Sequence, residues 1–219
     1  MNNVDKRYIG KVFSEYVPMD AKILDVGCGI GENLSTLKEF GYLNVIGVDI
    51  SKQMVDSSKE LGHQAFLPDE LMENDFDVIF FSHVIEHLGY PDIVKFLEFY
   101  FSKAKRNAQI VIVTPTLYDA FFNDVDHIKP YFAEGLMMLF SQSNISRQYS
   151  SQFELCLKNI YFRRAALTPY HVRCKYGKQF HQKLLYWLLF KGSIFLKIIS
   201  FGVISKVTGY TAIFDLNSQ

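Results

Sequence analysis

The sequence predicts a doubly wound α/β fold, and three features carry the prediction. Short apolar runs at 22–26, 44–49 and 76–81 alternate with segments of helical periodicity, as strands do when they cross over to parallel neighbours. The first run leads into Ile23-Leu24-Asp25-Val26-Gly27-Cys28-Gly29-Ile30-Gly31, where three glycines fall at every second position. Such a strand–loop–helix junction lets a ligand approach backbone that a Cβ would block, and it leaves free N–H groups at a helix start. The third run, Phe76–Phe81, is almost unbroken in its apolarity, as a central strand covered on both faces must be.

Along the chain, Val4 to Val17 carries Val4, Tyr8, Val12, Phe13 and Tyr16 at the spacing of an amphipathic helix, which Pro18 ends. It is expected to pack on the sheet. Strand one is Lys22–Val26. A helix from about Glu32 to Phe40 turns Leu34 and Leu37 inward and stops at Gly41. Strand two, Asn44–Asp49, ends in a lone carboxylate placed to accept hydrogen bonds from ribose hydroxyls. Ser51 suits the N-cap of a helix reaching about Leu61, with Gly62 as its stop. A brief third strand, His63–Leu67, precedes Pro68-Asp69-Glu70. At the end of strand four, where ligands bind in open α/β sheets, Ser82, His83, Glu86 and His87 crowd together. Pro91 opens a helix continuing to about Lys103, strand five is Gln109–Thr114, and Pro115-Thr116 forces an exit loop. The loop Tyr118–Phe132 holds Asp124-Val125-Asp126-His127, a helix follows at Glu134–Gln142, and strand six lies between Ile145 and about Leu157. The last strand is expected at Tyr210–Leu216.

Net charge is zero over 219 residues, so no global field favours nucleic acid. The distribution is uneven. Residues 1–154 hold 13 Lys/Arg against 22 Asp/Glu, a net of −9, whereas residues 155–214 hold 10 Lys/Arg and no acid, a net of +10. Three cysteines without a Cys-x-x-Cys pair argue against a disulfide framework or a structural zinc site. Met1-Asn2-Asn3-Val4-Asp5-Lys6 lacks an apolar signal core, which points to a cytoplasmic protein.

The sequence resembles the class I S-adenosylmethionine (SAM)-dependent methyltransferases. The resemblance rests on Asp25 to Gly31, on Gly47-Val48-Asp49, and on Phe76 to Leu88 with its Glu86-His87-Leu88. It covers roughly residues 20 to 154 and the last strand near Gly209 to Leu216. It implies one Rossmann-like domain over residues 1–219: a seven-stranded, mostly parallel sheet with an antiparallel last strand. The family joins its last two strands by a short hairpin, whereas here a basic helical insertion of about 155–208 intervenes. The resemblance also implies SAM as co-substrate. Its contacts would fall on Asp25, Gly27, Cys28, Gly29, Gly31, Asp49, Ile50, Asp69, Ser82 and His83. Asp25 would orient the loop and amino group, Asp49 would bind the ribose, and His83 would pack beside the cofactor.

Methyl transfer from a sulfonium is an in-line displacement in which positioning counts most, and a hydroxyl acceptor gains from a nearby base. His87 and His127 are the two candidates. In some relatives that methylate ubiquinone precursors the same Glu-His pair contributes to a divalent-metal site, so a metal is a second role for Glu86 and His87. Arg163, Arg164 and Arg173 have the bidentate geometry that grips phosphate, which suggests a small-molecule acceptor: a sugar, polysaccharide precursor or lipid-linked intermediate. The apolar run Leu184–Phe190 reads as a buried helix, an oligomer face or a membrane-surface segment. Lys191 and Lys197 interrupt it too early for a spanning helix. Two rivals stay open: a non-catalytic scaffold that keeps the fold, and a membrane-associated methyltransferase partner. Nucleic acid is disfavoured by the acidic body and by the lack of an Asn/Asp-Pro-Pro-Tyr/Phe motif.

Overall fold

A computed structural model describes residues 3–141, 151–167 and 179–218. One seven-stranded sheet runs in the order β3-β2-β1-β4-β5-β7-β6. Its strands are β1 (Ile23–Val26), β2 (Val45–Val48), β3 (Ala65–Phe66), β4 (Phe76–Ser82), β5 (Ala104–Pro115), β6 (Phe153–Ala165) and β7 (Lys206–Ser218). The first five are mutually parallel, and β7 runs antiparallel to both β5 and β6. The helices are α1 (Asn3–Tyr16), α2 (Glu32–Glu39), α3 (Lys52–Glu60), α4 (Asp92–Phe101), α5 (Ala133–Leu139) and α6 (Phe180–Ile199). Short 3₁₀ turns lie at Ile85–His87 and Phe121–Asn123.

The sheet buries both faces, which explains the apolar strands. Val78 and Phe80 of β4 join Ile23, Val111 and Ile213 in a core under α1 and α2, while Ile79 and Phe81 point the other way, into a core with Leu97, Leu136 and Phe140. α1 turns Asp5, Ile9, Val12 and Phe13 inward, with Val17 just past its end, and leaves Val4 exposed. The predicted Ser51 cap forms: its hydroxyl accepts from the Met54 N–H at 3.4 Å.

The insertion is shorter at both ends than its sequence-based limits. Lys158 to Arg164 belong to β6, which pairs with β7 from Phe153↔Ser218 to Ala165↔Lys206. The alternation of this stretch is that of a strand: Tyr161 stacks on Tyr8 of α1 with ring centres 5.7 Å apart. Asn159 donates to the Tyr16 hydroxyl at 2.6 Å. The connection between the last two strands therefore spans 166–205 and carries α6.

Candidate active site

The loop after β1 takes its shape from left-handed glycines, with φ of 74° at Gly27, 52° at Gly29 and 92° at Gly31. Gly27 is doubly constrained, since a Cβ there would lie 2.4 Å from Val84 Cγ2. Gly27→Ala is expected to cost about 1–3 kcal/mol and to weaken SAM binding, read by urea unfolding and calorimetric titration; unchanged values for both would contradict this geometry. Gly29 lies on the open side, where a Cβ would meet nothing within 4 Å.

Two carboxylates frame the loop. Asp49, half-buried at the end of β2, accepts from the Gly29 N–H and from the Ser51 N–H, each at 2.9 Å. It thus ties the loop down, and each oxygen retains a lone pair. Asp25 is fully buried; the Asn33 amide donates to its Oδ1 at 3.4 Å. Its Oδ2 is buried without a partner. Burial pushes the Asp25 carboxyl up to about 8, against the Asn33 hydrogen bond and with help from the Asp49 charge. Cys28 is buried beneath the loop, and burial raises its thiol as well. An open cradle with an orphaned carboxylate oxygen fits a ligand carrying an amino group, so these residues fit SAM. Ile50 is 85% exposed after β2, Asp69 is exposed in the loop after β3, and Ser82 ends β4.

His83 follows β4 and faces two carboxylates. It holds a left-handed φ of 56°, a strained position for a non-glycine residue. There its Nδ1 lies 3.1 Å from Glu86 Oε1 and its Nε2 lies 3.3 Å from Asp5 Oδ2. Burial opposes its charge, but the hydrogen bonds and charges of Asp5 and Glu86 prevail and lift it to about 9, so it is cationic at neutral pH. Glu86 is fully buried and also accepts from the Thr114 hydroxyl at 3.1 Å. At the far end, Arg163 grips both Asp5 oxygens, at 2.6 and 2.5 Å. Arg163, Asp5, His83, Glu86 and Thr114 thus form one chain of alternating charge from β6 through α1 to β5.

Pro115, Tyr118, His127, Arg163, Phe190 and Lys206 join His83 around a cavity of about 530 Å³ at the carboxyl ends of β4 and β5. His127 donates its Nδ1–H to the Phe121 carbonyl at 2.8 Å, and His87 likewise to the Asp126 carbonyl at 3.0 Å. A carbonyl only accepts, so a neutral ring carries its lone pair on Nε2; that of His127 lies 3.6 Å from Asp124 Oδ2, which would hold the ring's proton once it is taken up. Their ring centres are 5.0 Å apart. His127 lines the cavity, whereas His87 is not among its lining residues. The loop is pinned in place because the Glu86 carbonyl accepts from the Ile128 and Lys129 N–H groups, at 2.8 and 3.2 Å. Ligand atoms of Glu86, His87 and His127 lie within 4.8 Å of one another, so this trio could also hold a divalent cation.

The expected arginine clamp is not assembled by the described residues. Arg163 is committed to Asp5, while Arg164 lines a separate cavity with Arg7 and Lys197. A register shift between Arg163 and Arg164 sets them apart. Arg173 lies outside the described residues. Sequence reasoning missed Asp5 and Thr114 as site residues; the only signal was an acid four residues before Ile9 on the buried stripe of α1.

A family described as a methyltransferase domain matches residues 6–159. Among solved structures, a SAM-dependent methyltransferase from Archaeoglobus fulgidus is 21% identical, with 96% of this chain and 94% of that chain covered and a TM-score of 0.57. A putative sarcosine dimethylglycine methyltransferase from Galdieria sulphuraria is 14% identical, over 97% and 85% of the two chains, with a TM-score of 0.59. Magnesium protoporphyrin IX methyltransferase from Synechocystis PCC 6803, solved with bound SAM, is 11% identical, over 97% and 78%, with a TM-score of 0.54. No curated protein matches this sequence. With seven strands, an antiparallel β7 and the glycine loop after β1, the chain belongs to the methyltransferase domain family and has the fold of the class I SAM-dependent enzymes.

Proposed function

We propose that this SAM-dependent methyltransferase methylates a hydroxyl of a small-molecule acceptor, of the class of sugars, polysaccharide precursors or lipid-linked intermediates. The observation that carries the reading is His127. Its imidazole lines the cavity with Nδ1–H fixed on a backbone carbonyl, which leaves Nε2 as the base. When bound, SAM supplies an electrophilic methyl on a sulfonium. The glycine loop, Asp25 and Asp49 hold it on the β1–β2 side. The cavity orients the acceptor oxygen in line, and His127 Nε2 takes the hydroxyl proton as the new bond forms. The Glu86–His87–His127 trio supports a second reading, in which a divalent cation polarises the hydroxyl instead.

The experiment is titration of the protein with SAM and its demethylated product, for wild type and Asp49→Ala, followed by turnover of hydroxylated acceptors with and without a chelator. Wild type is expected to bind both and the variant to lose about 1.5–3 kcal/mol of affinity. Turnover that survives chelation and falls at least tenfold in His127→Ala supports the base. Loss on chelation, with recovery on adding metal, supports the cation reading. A folded wild type that binds neither compound would return weight to a scaffold.

A further inference from the structure

α6 carries a surface that the described residues leave uncovered. Tyr186, Phe190, Ser193 and Lys197, spaced four, three and four residues apart, form the side turned toward the protein. On the opposite side stand Leu184, Leu188, Phe195 and Ile199, each between 42% and 62% exposed. Ser193 alone among the twenty helix residues is buried. Just past the helix, Phe201 and Val203 are 98% and 80% exposed. Burying that stripe in an apolar phase is favourable at roughly 25 cal/mol per Å², and an apolar patch of this extent marks an interaction site.

The charge around the stripe selects the partner. The helix carries Lys183, Lys191 and Lys197 and no acid, and the whole stretch from 155 to 214 has none. Beside it, Arg7, Arg164 and Lys197 line a cavity of about 570 Å³ together with Ile198 and Phe201. Arg164 and Lys197 donate to the backbone carbonyls of Gly202 and Arg164, and among the described residues neither is paired with a carboxylate. A second copy set on this face would bring lysine against lysine. An anionic surface with an apolar layer beneath it complements both features. No described helix is long and apolar enough to cross a membrane.

We propose that α6 and the Phe201–Val203 turn lie in the interface of an anionic lipid bilayer. The outward stripe sits at the level of the acyl chains, lysines reach back to the headgroups, and the Arg7–Arg164–Lys197 cavity takes a headgroup phosphate. Phe190 of the same helix lines the acceptor cavity, so the bilayer would lie beside the mouth through which a lipid-borne acceptor enters. Vesicle binding itself is independent of which acceptor is methylated.

The test is flotation with vesicles of phosphatidylcholine alone and with about one third phosphatidylglycerol. Wild type is expected to float with the anionic vesicles at least tenfold more than with neutral ones, and to be released by high salt. Leu188→Glu/Phe195→Glu should lose that binding while still binding SAM, which shows that it is folded. Arg164→Gln/Lys197→Gln should retain weaker binding with a smaller salt dependence. Wild type that does not float with anionic vesicles would overturn the proposal. So would a glutamate variant that floats as well as wild type, or a wild-type dimer that this variant converts to monomer.

Discussion

Arg163→Met is expected to destabilise the protein by about 3–5 kcal/mol, the cost of breaking one side of a buried ion pair. Asp5 is 2% exposed and would lose the guanidinium that contacts both of its oxygens, with His83 still against Oδ2. Asp5→Asn/Arg163→Met removes both charges and should recover a large part of the loss, so a double-mutant cycle in urea gives a coupling well above that of a surface pair. Additive effects would show that Arg163 contributes only packing. The network also sets a pH window. Burial alone would raise the Asp5 carboxyl, but the His83 hydrogen bond and the Arg163 charge bring it below its ordinary 3.8. Its contribution is therefore present above 3.8 and lost as pH falls below that value. His83 is raised from 6.5 to about 9, so its contribution is full below 6.5 and is lost as pH rises through 9. In Arg163→Met/His83→Gln the alkaline arm should flatten and the Asp5 arm should reverse, because burial alone then raises that carboxyl.

Asp25→Asn is expected to have the opposite sign: a more stable ligand-free protein that no longer binds SAM well. Burial, reinforced by Asp49 and opposed by Asn33, raises the Asp25 carboxyl from 3.8 to about 8. A folded-state value above the unfolded one means that wild type is favoured at low pH and loses stability between pH 4 and 8 as ionisation is forced on a buried group. The amide cannot ionise, and its oxygen still accepts from Asn33. The melting temperature of the variant should match wild type near pH 4 and exceed it by several degrees at pH 8. In wild type, an amino group reaching the orphaned Oδ2 favours the carboxylate, so SAM binding at pH 7 should release a proton. Titration in buffers of different ionisation enthalpy measures that release, and the variant should show none while losing about 1.5–3 kcal/mol of affinity. Parallel melting profiles, or proton release that persists in the variant, would contradict the assignment.

The two sites differ in how far a sequence can reveal them. The cofactor side is local: Asp25, the three glycines, Asp49 and the Ser51 cap lie within 27 residues of one another, and each is constrained by its immediate neighbours. The acceptor side joins residues 78 and 158 positions apart, since Asp5 meets both His83 and Arg163. No local pattern encodes that meeting. Arg163 and Arg164 look equivalent in sequence, but strand alternation and a register shift send one to Asp5 and the other toward α6. Gly209 shows the same limit. A Cβ there would lie 2.2 Å from Arg163 Nη2, so this glycine is the gap through which the guanidinium crosses β7, a role visible only once the strands are paired. The length of β6 is hidden because its basic residues resemble an insertion, whereas Lys158 and Arg164 take the solvent side of the strand and Arg163 the side toward Asp5.

The position of β7 has a consequence for assembly. It is made after β6 yet lies between β5 and β6, and it is the only strand to which β6 is bonded. While the chain is being synthesised, the five parallel strands can form, but Phe153–Ala165 lacks its native partner until residues 206–218 emerge. Until then the aromatic side of β6 and the stripe of α6 are both exposed, which makes this interval the one in which the nascent chain is most prone to aggregate. Closure of β7 does three things at once: it completes the sheet, brings Arg163 to Asp5, and places Lys206 and Thr208 in the wall of the acceptor cavity. Catalytic competence therefore waits on β7.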